Sequence, residues 1–357
     1  MASTIKNFTA PLPPDQLDKF LARGWRSTGQ AVYNSSFLYL EGQGMLGVLP
    51  TRLVLQETRF GKKSRRILRR GLEQFHVEYG PARPPDTDKE RVNLRYMEDN
   101  GEKSLPNLDY HLYNTEGHNV LNTHETRVYD GDKLIAFSYF DLGSQAAYSK
   151  AGIYDPDYAA NSLGLFTLLF EVQLCRERGL DYFYPGYVAP ESPVFNYKHR
   201  IGPLEFFAGR RATTPWLPYT DFAADQHDPL AICLRKLSAI RQVLNLRGFA
   251  IALYSYPYNS ACFSRPGAYL DTAVLLYLGQ LSPERHRIIY FDTDSGRYRD
   301  IVVREAGLFI AERQGTDRIS GLPNFMQVLS LTRQAPLFDS EAVDLVLANL
   351  LGSGLQG

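Results

Sequence analysis

Apolar and polar positions change period several times along the chain, and each change marks an element. Residues 15–24, DQLDKFLARG, carry the three-to-four spacing of a short helix, opened near Asp15 and ended by Gly24. Residues 25–55 then alternate, interrupted by Gly42, Gly44 and Gly47, and predict strands joined by tight turns. The pattern breaks at RFGKKSRRILRRGLEQFHVEYG, where Arg59, Lys62, Lys63, Arg65, Arg66, Arg69 and Arg70 follow one another without an acid until Glu73. On a helix Arg66 and Arg70 share a face, as do Lys62 and Arg65 or Arg69, so several cations project together. Residues 80–90, GPARPPDTDKE, read as a linker, because clustered prolines turn their predecessors away from helix. Between Arg91 and Val120 no period dominates.

Order returns at Thr123. Asp130-Gly131 is a hairpin signal between two alternating runs, and Leu142-Gly143-Ser144 is a second turn before a third run that ends at Tyr154. This predicts an antiparallel meander of three strands. A nearly continuous apolar stretch from Ser162 to about Arg178 predicts a helix buried on more than one side, with Ser162 as its cap and Gly179 as its stop. Asp181 to Tyr187 supplies a further strand. A meander, a crossover helix and a strand form an acetyltransferase-like α+β core. Farther on, Asp228 and Pro229 open an amphipathic helix that ends at Gly248, Asp294-Ser295-Gly296 marks a hairpin, and a last helix starts near Ser340. The expected division is therefore an N-terminal part with the basic segment (1–85), a catalytic core (86–217) and a C-terminal α+β extension of unassigned role (218–357).

Composition changes this picture little. The formal charge of the 357 residues is zero, so contact with nucleic acid must rest on the local basic block. That block reads either as a solvated face or as a phosphate-binding patch, and the lack of balancing acids favours the patch. Cys175, Cys233 and Cys262 are far apart and match neither a metal-ligand spacing nor a disulfide framework. His111, His118 and His124 match no ligand spacing either. No charged-then-apolar leader and no apolar run near the roughly 20 residues of a bilayer span is seen, and a cytoplasmic protein without membrane association is expected. The junction IYDPDYAANSLG is the candidate for chemistry. A strand ends, a helix begins, and free N–H groups around Ser162, Leu163 and Gly164 suit an anion.

Residues 123–207 resemble the C-terminal domain of the aminoacyl-tRNA protein transferases, the arginyl- and leucyl-transferases that modify protein N-termini. The resemblance rests on Asp130-Gly131 with Leu134-Ile135-Ala136, on Tyr154-Asp155-Pro156-Asp157, and on Ser162-Leu163-Gly164. It continues through Tyr184 with Gly186-Tyr187, Pro193, Tyr197-Lys198 and Pro203-Leu204-Glu205. Upstream, RGWRSTGQAVY and the stretch Ser64 to Arg70 resemble the family's opening and its arginine-rich block, so that about the first 210 residues are covered in order. Asn34-Ser35-Ser36 and Ser192 stand where that family has cysteines, and Val194-Phe195 replaces a Lys-Met pair, so no thiolates remain for an iron–sulfur cluster or other metal.

The resemblance implies a mixed sheet of the acyl-CoA N-acyltransferase type with flanking helices. It implies transfer of an amino acid of the arginine or leucine class from charged tRNA, the co-substrate, to the N-terminal α-amine of an acceptor protein, with no other cofactor. Asp155 or Asp157 would orient the α-ammonium or act as base. Tyr197 and Lys198 would bind the tRNA end or an acidic acceptor side chain, with Tyr187 beside them, and Ser162, Leu163 and Gly164 would floor the donor site. Arg65, Arg66, Arg69 and Arg70 would track tRNA phosphates. Two other readings of the same residues are an acyl-CoA-dependent N-acyltransferase and a catalytically silent tRNA- or protein-binding module.

Overall fold

The computed structural model describes residues 4–40, 43–100, 105–209, 215–256, 270, 272–305 and 331–353, and Gly42 and Cys262 lie outside them. The N-terminal part holds β1 (Thr4–Asn7), α1 (Pro14–Ala22), β2 (Arg26–Thr28) and β3 (Ala31–Asn34), which form a three-stranded sheet in the order β1-β3-β2 beneath α1. A separate hairpin follows, β4 (Phe37–Leu40) with β5 (Gly44–Gly47).

The central body is an eight-stranded mixed sheet. In chain order its strands are β6 (Leu49–Val54), β7 (His76–Pro81), β8 (Thr123–Asp130), β9 (Lys133–Leu142), β10 (Ala146–Tyr154), β11 (Tyr182–Val188), β12 (Glu205–Phe207) and β13 (Trp216–Pro218). Their spatial order is β13-β12-β6-β11-β10-β9-β8-β7, so residues 49–81 share one sheet with residues 123–218. Three helices flank it: α2 (Lys62–Gln74), α3 (Thr87–Asn100) and α4 (Leu163–Glu177). The meander β8-β9-β10 is antiparallel, Gly131 turns it at φ 58°, and α4 carries the chain over to β11, which pairs parallel with β10. This is the α+β arrangement of the acyl-CoA N-acyltransferase type expected from the periodicity. Leu163, Phe166, Leu169, Val172 and Cys175 of α4 lie in the main core with Ile135, Phe140 and Phe183 of the sheet. Each such side chain contributes on the order of 2 kcal/mol of transfer free energy.

Two expectations need correction. Residues 80–90 are not a plain linker, since α3 begins at Thr87. Asp86 caps it by accepting from the Lys89 N–H at 2.9 Å, and its buried stripe is Lys89, Val92, Asn93 and Tyr96. Two polar members conceal the apolar period, because Lys89 is buried against Glu125 at 2.6 Å and Asn93 donates to the Leu105 carbonyl at 2.8 Å. Ser162 does not cap α4 through its side chain. It adopts the left-handed conformation (φ 56°) and makes no side-chain capping bond, while its carbonyl accepts from Leu165 and Phe166.

The C-terminal part is a five-stranded antiparallel sheet, β14 (Ala252–Ser255), β15 (Val274–Ser282), β16 (Arg285–Asp292), β17 (Arg297–Glu305) and β18 (Leu331–Ser340), packed with α5 (Pro229–Leu246) and α6 (Val343–Gly352). Asp228 caps α5 as anticipated, accepting from the Leu230 and Ala231 N–H groups at 2.8 and 3.3 Å. Phe37 and Met45 of the β4-β5 hairpin enter this core, so the hairpin bridges the two bodies. Among the described residues no helix is long and apolar enough to cross a membrane.

Candidate active site

The site lies where the central sheet divides. β10 and β11 pair only over Ala146–Tyr148 and Tyr182–Tyr184. Beyond them β10 stays with β9 as far as Tyr154, and β11 stays with β6 as far as Val188. The sequence dictates the split. Pro185 has no N–H to continue a ladder, Gly186 turns away at φ 93°, and both strands shift register there. Two parallel strands that part at their carboxyl ends leave a cleft, the usual place for a ligand in such sheets.

One wall of the cleft is cationic and aromatic. Lys198, on the 3-10 segment Pro193–Arg200, is 7% exposed and donates to the Tyr187 carbonyl at 2.7 Å. Its ammonium lies within 6 Å of the Tyr187, Phe195 and Tyr197 ring centres. Burial, together with the Arg26 charge, pulls its pKa down to about 7. The Gly186 backbone permits this approach, because a Cβ there would meet the Lys198 Nζ at 3.2 Å and the Tyr148 hydroxyl at 3.6 Å. Arg26 on β2 is 2% exposed and sandwiched between the Tyr33 and Tyr187 rings, each 4.7 Å away. Its Nη2 donates to the Ser35 carbonyl at 2.8 Å, whereas Nε and Nη1 make no hydrogen bond among the described residues. Neither cation has an acidic partner among the described residues.

The opposite wall holds the start of α4. The N–H groups of Leu163 and Gly164 bind no acceptor among the described residues, and Gly164 lets the Tyr154 ring approach to 3.3 Å of a would-be Cβ. Tyr154 packs edge-on against Tyr96 of α3 at 5.1 Å. Tyr197 closes the cleft from the side. Its ring is 42% exposed, yet burial of the hydroxyl end and the neighbouring Glu171 carboxyl push its pKa to about 12.

The carboxylates singled out in the sequence stand elsewhere. Asp155 is 2% exposed and caps the 3-10 turn Pro156–Asn161 by accepting from the Asp157 N–H at 3.2 Å. Burial alone would raise its pKa, but the hydrogen bond and charge of Lys133 at 2.9 Å outweigh this and hold it low. Asp157 is exposed and paired with Arg95 at 2.7 Å. Both carboxylates therefore hold the loop. Sequence reasoning missed Arg26, Tyr33, Tyr148 and Glu171. Glu171 was visible as the lone charge in LGLFTLLFEVQLC, and Arg26 as the cation inside RGWRSTG.

A second feature adjoins the cleft. Arg59, Lys62, Lys63, His199 and Arg200 line a pocket of about 420 Å³ between the first turn of α2 and the end of the 193–200 segment. The Ser64 hydroxyl donates to the Arg200 carbonyl at 2.6 Å and fastens the two. Arg65, Arg66, Arg69 and Arg70 continue the basic surface along α2, and among them the structure shows one loose ion pair, Arg69 with Glu73 at 3.7 Å. His111 is partly buried, its pKa pulled to about 4 by desolvation and by Lys150, and among the described residues no three His, Cys, Asp or Glu side chains are grouped to hold a metal.

Residues 71–208, which hold most of this cleft, match the family described as arginine-tRNA-protein transferase, C terminus. Aspartate/glutamate leucyltransferase of Campylobacter jejuni (strain RM1221) is 26% identical over 212 residues, which span 57% of this chain and 85% of that enzyme. This part of the chain is similar to the aminoacyl-tRNA protein transferases. The leucyltransferase of Vibrio cholerae (El Tor Inaba N16961) is also 26% identical, over 202 residues that span 56% of this chain and 82% of the relative. Solved structures similar to this chain include FemX (10% identity, TM-score 0.34, covering 53% of this chain and 66% of that one). Another is L-PGS from Bacillus licheniformis (14%, TM-score 0.31, 48% and 57%).

Proposed function

We propose that the chain transfers leucine from charged tRNA to the α-amine of an acceptor protein that begins with Asp or Glu. The observation that carries this reading is the Arg26–Lys198 pair. Two buried cations without a carboxylate between them cost free energy that a bound acidic side chain would recover. Both named relatives are leucyltransferases for aspartate and glutamate, which supports the same acceptor and donor here.

Within this reading the acidic side chain enters between Arg26 and Lys198, restoring the full charge of Lys198 and placing the α-amine toward Tyr197. The aminoacyl ester lies over the start of α4, where the Leu163 and Gly164 N–H groups, beside Ser162, stabilise the developing oxyanion. The tRNA backbone follows Arg65, Arg66, Arg69 and Arg70 from the 420 Å³ pocket. Asp155 and Asp157 position the loop between β10 and α4, and the Tyr187 carbonyl orients Lys198. An ester is already an activated acyl donor, so holding amine and carbonyl at attack distance supplies much of the rate and no further cofactor is needed.

A panel of charged tRNAs against peptides with varied first residues tests the proposal. Leucyl-tRNA should serve best, and Asp or Glu should exceed Asn or Gln by on the order of 10²-fold in kcat/KM, the value of one buried charge pair. Arg26→Met or Lys198→Met should raise KM for the peptide and leave KM for tRNA unchanged. Transfer indifferent to the first residue, or transfer from acyl-CoA alone, would overturn it.

A further inference from the structure

The pocket between α2 and the end of the 193–200 segment concentrates positive charge without any to balance it. Arg59, Lys62, Lys63 and Arg200 bring four cations to its lining, His199 adds an imidazole, and no Asp or Glu lines it. None of the four cations has an acidic partner among the described residues. Like charges gathered around one cavity repel each other, and an anion held between them removes that cost. Lys62 and Lys63 stand, besides, at the unfavourable end of their helix. The first turn of α2 contains no acid, Gly61 offers no side-chain cap, and the N–H groups of Lys62, Lys63 and Ser64 bind no acceptor among the described residues. Cations oppose the helix dipole at that end, and an anion suits it.

The cavity is also fixed in shape. Leu68 of α2 and Ile201, which follows Arg200, both lie in the main core, and the bond from the Ser64 hydroxyl to the Arg200 carbonyl ties the two walls together. A Cβ at Gly202 would meet the Leu53 and Thr58 side chains at 3.0 Å, so the chain leaving the pocket lies tight against β6. Arg59 Nη1 donates to the Gln56 and Thr58 carbonyls at 2.9 Å each, which holds its guanidinium at the rim. The His199 ring packs edge-on against Tyr219, 4.5 Å away. Groups held in place before a ligand arrives lose little freedom in binding it.

We propose that this pocket binds a phosphate monoester, and that in the proposed aminoacyl transfer, on which this inference rests, the monoester is the 5′-terminal phosphate of the tRNA. A monoester carries about two negative charges and three acceptor oxygens, whereas a diester inside a strand carries a single charge. Four cations and three free N–H groups around one cavity match the monoester. Arg65, Arg66, Arg69 and Arg70, exposed along α2, suit the diesters that follow it. Position agrees with charge. His199 and Arg200 directly follow Lys198 of the cleft, and the 13 residues of α2 lead over roughly 20 Å from the pocket toward Gly71, which faces Phe166 near the start of α4. The 5′ phosphate of a tRNA closes the same stem whose other strand ends in the aminoacylated ribose, so a tRNA seated over α4 brings this one monoester to the same side of the protein.

The test is binding of one uncharged tRNA to the full chain at fixed salt, with its 5′ phosphate and after phosphatase has removed it. The phosphorylated form should bind on the order of 10-fold tighter, the value of one charge-assisted hydrogen bond. Lys62→Glu should abolish this preference without lowering the melting temperature, because an acid is favourable at a helix N-terminus. The double variant Lys62→Ala/Lys63→Ala should lose the preference as well, whereas replacing Arg65 and Arg66 by Ala should weaken both tRNAs alike. Inorganic phosphate should displace the phosphorylated tRNA more readily than the dephosphorylated one at matched ionic strength. Coenzyme A, a small molecule with a phosphate monoester, should compete no better than inorganic phosphate. Equal affinity for the two tRNAs, or a preference that survives in both lysine variants, would overturn the site. Displacement by coenzyme A at far lower concentration would give the pocket to that ligand and overturn the tRNA assignment. If the preference appears as expected but no charged tRNA gives up its amino acid, the transfer reading falls and the phosphate site stands. A chain that binds neither tRNA overturns both, a result distinct from equal binding.

Discussion

Lys198 and Gly186 depend on each other. The lysine can stay buried because Gly186 has no Cβ at the point where one would come within 3.2 Å of Nζ, and because the glycine backbone accepts φ 93°. Gly186→Ala should therefore act through Lys198. Part of the loss is strain at a backbone angle disfavoured for L residues, about 1–2 kcal/mol. The rest is loss of the 2.7 Å bond to the Tyr187 carbonyl as the ammonium is pushed aside. The expected result is a KM for an Asp-initiated peptide raised on the order of 10-fold, equivalent to about 1.4 kcal/mol, with KM for tRNA unchanged. Steady-state kinetics with each substrate varied in turn decides it, and an unchanged peptide KM would free Lys198 from acceptor binding. The residue types of this site were readable in YPGY and YK, but the pairing with Arg26 was not. Arg26 and Lys198 are 172 positions apart, and only the folded sheet brings β2 and the 193–200 segment to one cleft.

Elements with a clean period were legible: the meander, α4, the Asp228-capped α5 and the hairpin at Ser295 follow the sequence pattern. The elements that escaped it, β1 and α3, are short or carry buried polar side chains whose partners are distant in sequence, such as Lys89 with Glu125. The split between β10 and β11 escaped for another reason. It is a property of pairing, and its cause, Pro185 with Gly186, looks locally like a turn. Helix α2 combines both lessons. Its basic face was evident, while its anchoring depends on Gly71, where a Cβ would fall 2.2 Å from the Phe166 ring of α4. Because the arginines project away from that anchor, replacing Arg65, Arg66, Arg69 and Arg70 by Ala should leave the fold intact. It should weaken tRNA binding and flatten the slope of log K against log salt by up to roughly 0.7–0.9 for each phosphate that the helix no longer neutralises. Binding of uncharged tRNA measured across a salt series reads this directly, and an unaltered slope would make the face a merely solvated one.

The C-terminal body touches the central body through the β4-β5 hairpin, and that hairpin lies next in sequence to Ser35, whose carbonyl holds Arg26. Whatever the five-stranded sheet does besides, it fixes the segment that positions half of the cationic pair. The joint is narrow. A Cβ at Gly47 would lie 2.0 Å from Asp228 Oδ1, the same oxygen that accepts from the Leu230 N–H at 2.8 Å and so opens α5. Gly47→Ala should drive the carboxylate off its cap and separate the hairpin from α5. The loss combines a broken N-cap of about 1 kcal/mol with part of the apolar burial of Phe37 and Met45. A protein in which the two bodies unfold together should then melt in two steps, the C-terminal one first, and protease should cut earlier between Pro218 and Asp228. Peptide KM should rise with it, since Ser35 and Arg26 lose their support, while tRNA binding through α2 is retained. Calorimetry, limited proteolysis and peptide kinetics on one preparation distinguish this from general destabilisation, in which tRNA binding would fail as well. A single unshifted transition in Gly47→Ala would mean that the C-terminal body is attached but does not brace the site.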